Sequence, residues 1–456
     1  MKARTRKIRH GLGVVAGIAV LGLALQGCSS GGTPKASDSA AALDGAGKTL
    51  TVMVGANTVY PTEQKQWFQD VSDEFEKTTG AKVTFETYAS ANDELTKIQT
   101  SVISGQGPDI YNLGTTFTPT ANATGAFVTL TDADWDKIGG RDKFLQSTLG
   151  ISGPDKKHEV GVPFASRPFV MAYNTELLKA AGIDKPATTW DELTAQSKKL
   201  TSGDTYGMAI AYADSFDPWK FVWAMSIQAG NPILDGKKAR LDDPVTVKAY
   251  QTYFDWLAKD KVVDPSAIGW KSAQSLAAFA NGKAAYLPMT TSTSQVSLDT
   301  SAVAGKYAYA IMPTVPPGEK TLPKNGKGAT SILSGDNMVV AKYSKNQDLA
   351  FALLKQFTSP KNQIEYNKLF GDLPTNATAA KQVEENNDKL VPVVDSASKA
   401  VGTPFSGAWG DTQLALVNVV VQSIPDLSNG SVSASEIKAK LATAQATAQA
   451  ALDKAK

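Results

Sequence analysis

Apolar residues recur with two different periods along the chain, and this pattern predicts strands that alternate with helices. A short run rich in β-branched residues, 50–55, predicts a first strand. A helix follows, with apolar residues at helical spacing, namely Trp67, Phe68, Val71 and Phe75. A second strand near 83–87, a second helix over 95–103 and a third strand over 109–113 continue the order. This order predicts an α/β fold, with a mostly parallel sheet flanked by helices.

Further helices are predicted in the second half of the chain. A capping box at Thr189–Glu192 marks one helix start, and residues 349–357 carry the apolar spacing of another. The alanine-rich segment 437–455 predicts a closing helix. Residues 413–424 are ambiguous, because their density of β-branched residues favours a strand while the flanking pattern suits a buried helix.

The first 28 residues have the pattern of a signal peptide. Basic residues precede an apolar run over 12–25 that ends shortly before Cys28, the one cysteine in the sequence. The run is shorter than the roughly 20 residues that a membrane-spanning helix needs. Leu25-Gln26-Gly27-Cys28 resembles a bacterial lipobox, although Gln26 departs from the usual small residue. We expect removal of 1–27 and lipidation of Cys28, with an unmodified thiol as the alternative.

Charge and length limit the class of protein further. The sequence has 46 basic and 44 acidic residues, and five of the basic ones lie in the signal segment, so the mature chain is slightly acidic. Such a chain has no electrostatic footprint for nucleic acid.

Residues 28–48, rich in Ser, Gly and Ala, predict a flexible tether. The remaining length exceeds what one core usually supports and predicts two lobes.

Few residues suit catalysis. His158 is the one histidine beyond the signal segment, and it lies in a polar stretch typical of a solvated turn. Asp132, Asp134 and Asp136 imitate the start of a calcium loop, but Lys137 stands where the loop needs glycine. We therefore expect neither a metal nor a cofactor. A glycosidase with a pair of carboxylates stays open, because sequence alone does not give their separation.

Aromatic residues in loop-like segments point to a different chemistry. Tyr60 follows the carboxyl end of the first predicted strand, where open parallel sheets bind ligands. Trp219, Trp270 and Trp409 also lie in segments rich in turn-forming residues. A flat ring packs against the C–H face of a sugar, whose hydroxyl groups need polar partners. For each tryptophan, packing in the core is an equal alternative.

From Leu50 onward the chain resembles the extracellular solute-binding proteins of family 1, the maltose- and oligosaccharide-binding type that serves ATP-binding-cassette (ABC) importers. The resemblance rests on segments in a characteristic order, including GQGPDIYNL, VPFASRPFVMAYNTELLKAAGIDKPATTWDEL and AFANGKAAYLPM. It implies a periplasmic-binding-protein-like fold of type II, with two α/β lobes and a ligand cleft between them. It implies 49–165 and 318–371 in the N-terminal lobe, and 166–317 and 372–456 in the C-terminal lobe.

The resemblance also implies a set of ligand-binding residues. The loops after the first and third strands contribute Asn57, Tyr60, Thr115, Thr116 and Phe117, and the crossover between lobes contributes Arg167. The alternative for Arg167 is a structural ion pair. The remaining positions are Trp219, Thr290, Asp336, Asn337, Phe405 and Trp409, joined by Trp270 from its loop context. At Thr290 the family often has an aromatic residue nearby, so this departure favours a small or polar ligand.

These features together predict a monomeric, non-catalytic lipoprotein at the outer face of the cell membrane. It would bind a sugar or oligosaccharide and deliver it to the permease subunits of an ABC importer. The alternatives are a receptor of the same fold for a polyol phosphate, amine or peptide, a secreted glycosidase, and a surface protein that binds only other proteins.

Overall fold

The computed structural model describes residues 43–57, 59–88, 91–214 and 217–455. Leu43 to Lys456 form one compact unit. The predicted signal peptide, Cys28 and most of the tether lie outside the described residues. The strands are β1 Thr49–Gly55, β2 Lys82–Tyr88, β3 Ile110–Gly114, β4 Gly161–Ser166, β5 Val170–Asn174, β6 Tyr206–Met208, β7 Leu234–Asp235, β8 Lys238–Ala239, β9 Ala284–Thr290, β10 Tyr307–Ile311, β11 Gly335–Val340 and β12 Leu373–Pro374.

The helices surround these strands. They are α1 Pro61–Thr79, α2 Ala91–Ser104, α3 Thr118–Asn122, α4 Asp132–Ile138, α5 Thr175–Ala180, α6 Trp190–Leu200, α7 Pro218–Gln228, α8 Pro244–Ala258, α9 Ser272–Ala280, α10 Ser294–Leu298, α11 Gln347–Phe357, α12 Pro360–Phe370, α13 Ala377–Glu385, α14 Val391–Ser398, α15 Trp409–Ser428 and α16 Ala434–Lys454. The ambiguous segment 413–424 belongs to α15, whose apolar face is buried against α16 and the core of the C-terminal lobe.

Two mixed sheets form the centres of two lobes. The N-terminal sheet has the order β12-β4-β11-β3-β1-β2, and the C-terminal sheet has the order β10-β5-β9-β6. In the first sheet, β1 to β4 run in one direction, whereas β11 and β12 run the opposite way. In the second sheet, only β6 and β9 pair in parallel. The expectation of mostly parallel sheets is therefore corrected, because β11 and β12 start at the edge where the other strands end.

The chain passes between the lobes at different points from those expected. The first crossing, between β4 and β5, lies at residues 167–169, shortly after the expected boundary between 165 and 166. Residues 318–334, however, lie on the C-terminal lobe, where Gln228 Nε2 donates to the carbonyl oxygen of Ala329 at 2.9 Å and Thr330 Oγ1 donates to that of Ser396 at 3.0 Å. The third boundary also moves, since β12 pairs with β4 in the N-terminal sheet. Segment 318–334 contains no strand and β12 has only two residues. Neither therefore has the hydrophobic periodicity that would have located these two boundaries in the sequence.

Apolar side chains from both faces of each sheet form the cores. Trp67, Val71 and Phe75 of α1 are buried against β1, β3 and β11 in the N-terminal lobe. Trp190, Trp223 and Trp256 are fully buried in the C-terminal lobe. Thr131 and Asp134 form a capping box on α4, which accounts for the acidic run that imitates a calcium loop. Because the helices pack on the faces of the sheets, the loops at the strand ends remain accessible and form the site.

Candidate ligand cleft

A cleft separates the two lobes along the carboxyl ends of β1, β2 and β4. Its N-terminal half has a volume of about 370 Å³ and its C-terminal half about 340 Å³. The two halves share the lining residues Val59, Tyr60, Arg167 and Thr293 and so form one continuous space. This position agrees with the general rule that α/β sheets bind ligands beyond the carboxyl ends of their strands.

An ion triad lies in the N-terminal half of the cleft. Arg167 follows β4, Asp336 lies on β11 and Asp372 directly precedes β12, and these three strands are neighbours in the sheet. The guanidinium binds both oxygens of Asp336, with Nη1 at 3.0 Å from Oδ1, and its Nε donates to Asp372 Oδ1 at 2.5 Å. The arginine side chain keeps 29% exposure, whereas those of Asp336 and Asp372 keep 10% and 5%. The triad is therefore both a structural junction and part of the cleft surface.

The triad changes the proton affinity of one of its members. Burial raises the pKa of Asp372 to about 6, Arg167 opposes this rise, and the charge of Asp336 adds to it. Nearby, burial raises the pKa of the Glu94 carboxyl well above its ordinary value. With Asp336 and Asp372 the N-terminal wall holds more carboxyl groups than one guanidinium neutralises.

A second ion pair lies in the C-terminal half. Lys220 Nζ lies 2.7 Å from Asp217 Oδ1 and 4.4 Å from the centre of the Phe169 ring. Asp217 also accepts a hydrogen bond from Ser272 Oγ at 2.5 Å. Asp217 and Ser272 lie at the starts of α7 and α9, so the pair joins two helix ends at the cleft wall.

Tyr60 connects the two walls. Its hydroxyl donates to the carbonyl oxygen of Thr293 at 3.1 Å and lies 3.1 Å from Ser297 Oγ, both in the C-terminal lobe. Asn57 positions this residue, because its Oδ1 accepts hydrogen bonds from the backbone N–H groups of Val59 and Tyr60 at 3.0 and 2.8 Å. Such a side-chain-to-backbone turn at a strand end is typical of Asn.

An irregular backbone segment at the end of β9 forms part of the C-terminal wall. Met289 has a φ angle of 56°, and the pairing of β5 with β9 shifts register here. Left-handed conformations of residues other than glycine are strained and concentrate at functional sites. The shift places Pro288, Met289 and Thr290 on the cleft surface.

The structure brings together several residues that the sequence predicts for the site. Asn57, Tyr60, Arg167, Thr290 and Asp336 all line the cleft. Arg167 forms the structural ion pair of its alternative interpretation and also lines the cleft, while its contact with a ligand stays a prediction. The aromatic ring predicted near the first strand, that of Tyr60, therefore lies on the cleft wall.

Other predicted residues lie elsewhere. Thr115 Oγ1 donates to the carbonyl oxygen of Leu333 at 2.8 Å, and Thr116 is half-exposed beside it outside both halves of the cleft. Phe117 is buried in the N-terminal core, and Asn337 is buried with its Nδ2 donating to Thr118 Oγ1 at 3.2 Å. The loop after β3 and the third residue of β11, Asn337, therefore serve packing, because both turn away from the cleft.

The expectation that tryptophan rings line the cleft is also corrected. Trp219 and Trp409 are buried in the C-terminal core, where their rings meet edge to face at a centroid distance of 5.7 Å. Trp270 is half-buried against the same core, and Phe405 is half-buried outside the cleft lining. Trp219 and Trp409 lie in the first turn of a helix, and Trp270 lies at the end of a turn. In each case the ring packs against the apolar core.

Sequence reasoning missed several lining residues. They are Tyr88, Asn112, Tyr366, Phe370, Asp372, Lys220 and Thr293. Tyr88 ends β2, so the rule that parallel strands end at one edge would have found it. Asp372 gave no such signal, because 205 residues separate it from Arg167 in the sequence.

Comparisons with known proteins agree with this architecture. The family model described as bacterial extracellular solute-binding protein matches residues 60–364. The diacetylchitobiose binding protein DasA of Streptomyces coelicolor is 27% identical over 86% of this chain and 87% of its own length. The sn-glycerol-3-phosphate-binding periplasmic protein UgpB of Salmonella paratyphi A is 29% identical over 53% of this chain and 55% of its own length.

A solved structure shows the same fold. The ABC transporter solute binding protein of Agrobacterium radiobacter K84, determined in complex with ribitol, superposes with a TM-score of 0.72 at 24% identity. The superposition covers 89% of this chain and 99% of that one. The two-lobe α/β architecture expected from the sequence is thereby confirmed.

The raised pKa of Asp372 predicts a pH-dependent stability. Between its ordinary pKa of 3.8 and its native pKa of about 6, the native state retains a proton that the unfolded chain has lost. The contribution of Asp372 to the free energy of unfolding should therefore fall as pH rises through this window. Relative to Asp372→Asn, wild type should lose roughly 2–3 kcal/mol from about pH 4 to about pH 6, measured by urea unfolding.

The control for this experiment is Asp395→Asn on α14, an exposed carboxylate paired with Lys399. It should show no comparable change across the window. A constant difference between wild type and Asp372→Asn at all pH values would contradict the prediction.

The burial of Trp409 predicts a loss of stability on truncation. Trp409→Ala should lower the free energy of unfolding of the ligand-free protein by about 3–5 kcal/mol, because it leaves a large cavity. Urea unfolding measures this loss, and Trp270→Ala, at a half-buried ring, should lose less. Unchanged stability combined with lost ligand affinity would instead return Trp409 to the binding surface.

Proposed function

Since the chain belongs to the bacterial extracellular solute-binding proteins, we propose that it captures a carbohydrate in the interlobe cleft and delivers it to the permease of an ABC importer. The site residues proposed for this role are Asn57, Tyr60, Arg167, Thr290 and Asp336, each of which lines the cleft. We add the lining residues that sequence reasoning missed, among them Tyr88, Asn112, Asp372 and Lys220.

The observation that carries the proposal is the mixture of rings and polar groups on the cleft wall. Tyr60, Tyr88 and Phe370 supply flat apolar surfaces, while Asn112 and Arg167 supply hydrogen-bond donors between them. A sugar presents C–H faces and in-plane hydroxyl groups, and it needs both kinds of partner. The names of the relatives that bind diacetylchitobiose and ribitol support a polyhydroxylated ligand.

Binding would favour the closed arrangement of the lobes. A ligand shifts a conformational equilibrium only by its differential affinity for the two states, so it has to contact both walls. Tyr60 and Arg167 line both halves of the cleft and lie where such a ligand would bridge them. Closure would then present a defined surface to the two membrane subunits, a hinge motion common among such receptors.

A hydrolytic role has weaker support. Two of the acidic groups that line the cleft, Asp336 and Asp372, both bind Arg167. A glycosidase needs one carboxyl as proton donor and another as nucleophile or base on opposite sides of the bond. Among the described residues, no group of three or more His, Cys, Asp or Glu side chains suits a metal ion.

We further propose that the protein is anchored at the outer face of the membrane by lipid on Cys28 and acts as a monomer. The lipobox-like sequence before Cys28 and the family membership support this placement. Within the described residues, no helix is long and apolar enough to cross a membrane. The tether 28–48 would let the folded lobes stand away from the bilayer.

A thermal-shift screen of residues 43–456 tests the proposed ligand class. Mono- and oligosaccharides and polyols are compared with amino acids and polyamines. A ligand bound only by the native state at 100 times its Kd adds about 2.7 kcal/mol of stability, so a carbohydrate should raise the Tm. Recovery of the sugar unaltered is expected. Its consumption would contradict the receptor, and a response to amino acids or polyamines alone would contradict the carbohydrate.

The variant Thr290→Val refines the same experiment, because it removes one hydroxyl from the C-terminal wall and keeps the side-chain shape. The affinity for the carbohydrate that responds should fall about 3- to 10-fold, the worth of one net hydrogen bond. Thr447→Val, on the exposed surface of α16, should change nothing. Equal affinities of wild type and Thr290→Val would remove Thr290 from the site.

The lipid anchor is tested by Cys28→Ser in the full chain. The variant should leave the membrane fraction or accumulate unprocessed, because serine has no thiol to accept the lipid. Fractionation followed by mass spectrometry of the N-terminus measures both, with Ser30→Ala as control. Normal processing and membrane retention of Cys28→Ser would refute the anchor.

A further inference from the structure

We propose that this cleft selects against anionic solutes, such as phosphate esters of sugars and polyols, because carboxylates already neutralise each of its cations. The inference rests on the proposed function, since it concerns the ligand of the same cleft. It separates this chain from a receptor for a phosphorylated polyol, which the sequence left open and which the name of UgpB describes for that relative.

Arg167 is the first cation, and its charge is more than balanced. Two carboxylates, those of Asp336 and Asp372, bind it through three of its five N–H groups. Both carboxylates are nearly buried, one on β11 and one directly before β12, the two strands that pair with β4 on either side. Burial leaves them little room to move away from Arg167. An incoming phosphate would have to compete with both for the same guanidinium.

Lys220 is the second cation, and Asp217 neutralises it. The ammonium is 2.7 Å from the carboxylate, its side chain is 15% exposed, and it also lies over the Phe169 ring. Ser272 Oγ lies 2.5 Å from the second oxygen of Asp217 and 2.6 Å from Oδ2 of Asp214. The ammonium of Lys220 is thus paired at close range, and the lysine is not available as a free phosphate-binding group.

The whole lining carries an excess of acidic groups. Among the lining residues that the structure describes, Arg167 and Lys220 face three carboxyl groups, those of Asp217, Asp336 and Asp372. A like charge brought into a partly desolvated cleft is repelled more strongly than in water. Building unfavourable charge against a competitor is a common way to obtain specificity.

The same arrangement still serves an uncharged ligand. Because two carboxylates surround Arg167, the triad carries no net positive charge, and the two N–H groups of Arg167 that the carboxylates do not use supply hydrogen bonds without attracting an anion. The Asn112 amide contacts the thioether sulfur of Met338 at 3.6 Å, a weak acceptor that a hydroxyl oxygen would replace. Neutral hydroxyl groups can therefore be satisfied where an anion would be repelled.

The test uses residues 43–456 and three small probes of defined charge. Inorganic phosphate and sn-glycerol 3-phosphate are titrated by calorimetry and by thermal shift, with glycerol as the uncharged comparison. Wild type should bind neither anion in the millimolar range. Binding of either anion by wild type, lost on Arg167→Met, would overturn the proposal.

Two variants release the cations one at a time. The double variant Asp336→Asn/Asp372→Asn removes both carboxylate charges that bind Arg167, and Asp217→Asn removes the charge that pairs with Lys220, while all three substitutions keep the side-chain shape. At least one folded variant should bind inorganic phosphate at least tenfold more tightly than wild type, and Asp395→Asn should not. If both variants fold, as circular dichroism would show, and neither gains phosphate affinity, the proposal is wrong.

The outcomes separate this inference from the proposed function. If no carbohydrate raises the Tm but the variants gain phosphate affinity, the carbohydrate proposal fails and the charge selection stands. If a carbohydrate binds and wild type also binds sn-glycerol 3-phosphate with similar affinity, the receptor stands and the charge selection fails.

Discussion

The contact of Arg167 with Asp336 and Asp372 joins three strand ends at the place where the chain passes between the lobes. Arg167 lies at the first crossing, Asp336 just after the second, and Asp372 beside β12, where the third follows. Removing one partner of a buried charged group typically costs about 3–5 kcal/mol, because the remaining charges lose their compensation. The position of the cleft, and the relation of β12, β4 and β11, depend on this junction.

The junction also fixes the chemistry of the cleft. Because one guanidinium serves two carboxylates, the N-terminal wall offers directed donors without a free positive charge. The rings of Tyr60, Tyr88 and Phe370 lie around this polar centre. A surface of this kind suits a ligand that is polar at its edge and apolar on its face, which is the chemical description of an uncharged sugar.

Sequence reasoning succeeded where a local rule or the family resemblance applied. The turn formed by Asn57 places Tyr60 at a strand end, and the crossover after β4 places Arg167 in the cleft. It failed for Trp219 and Trp409, whose segments look like loops, because the rings turn into apolar space that other elements create. It also failed for the lobe boundaries near 318 and 371, because those segments owe their place to hydrogen bonds with distant residues.

The sequence by itself determined the alternation of strands and helices, the two-lobe organisation, the signal-like segment ending at Cys28 and the family. Each of these is contained in local periodicity, composition or an ordered series of motifs. Only the tertiary structure decided that Asp372 meets Arg167 across 205 residues, that Lys220 and Asp217 neutralise one another in the cleft, and that the tryptophans belong to the core. Charge balance and burial depend on distances between remote segments, and local patterns in a chain do not contain those distances.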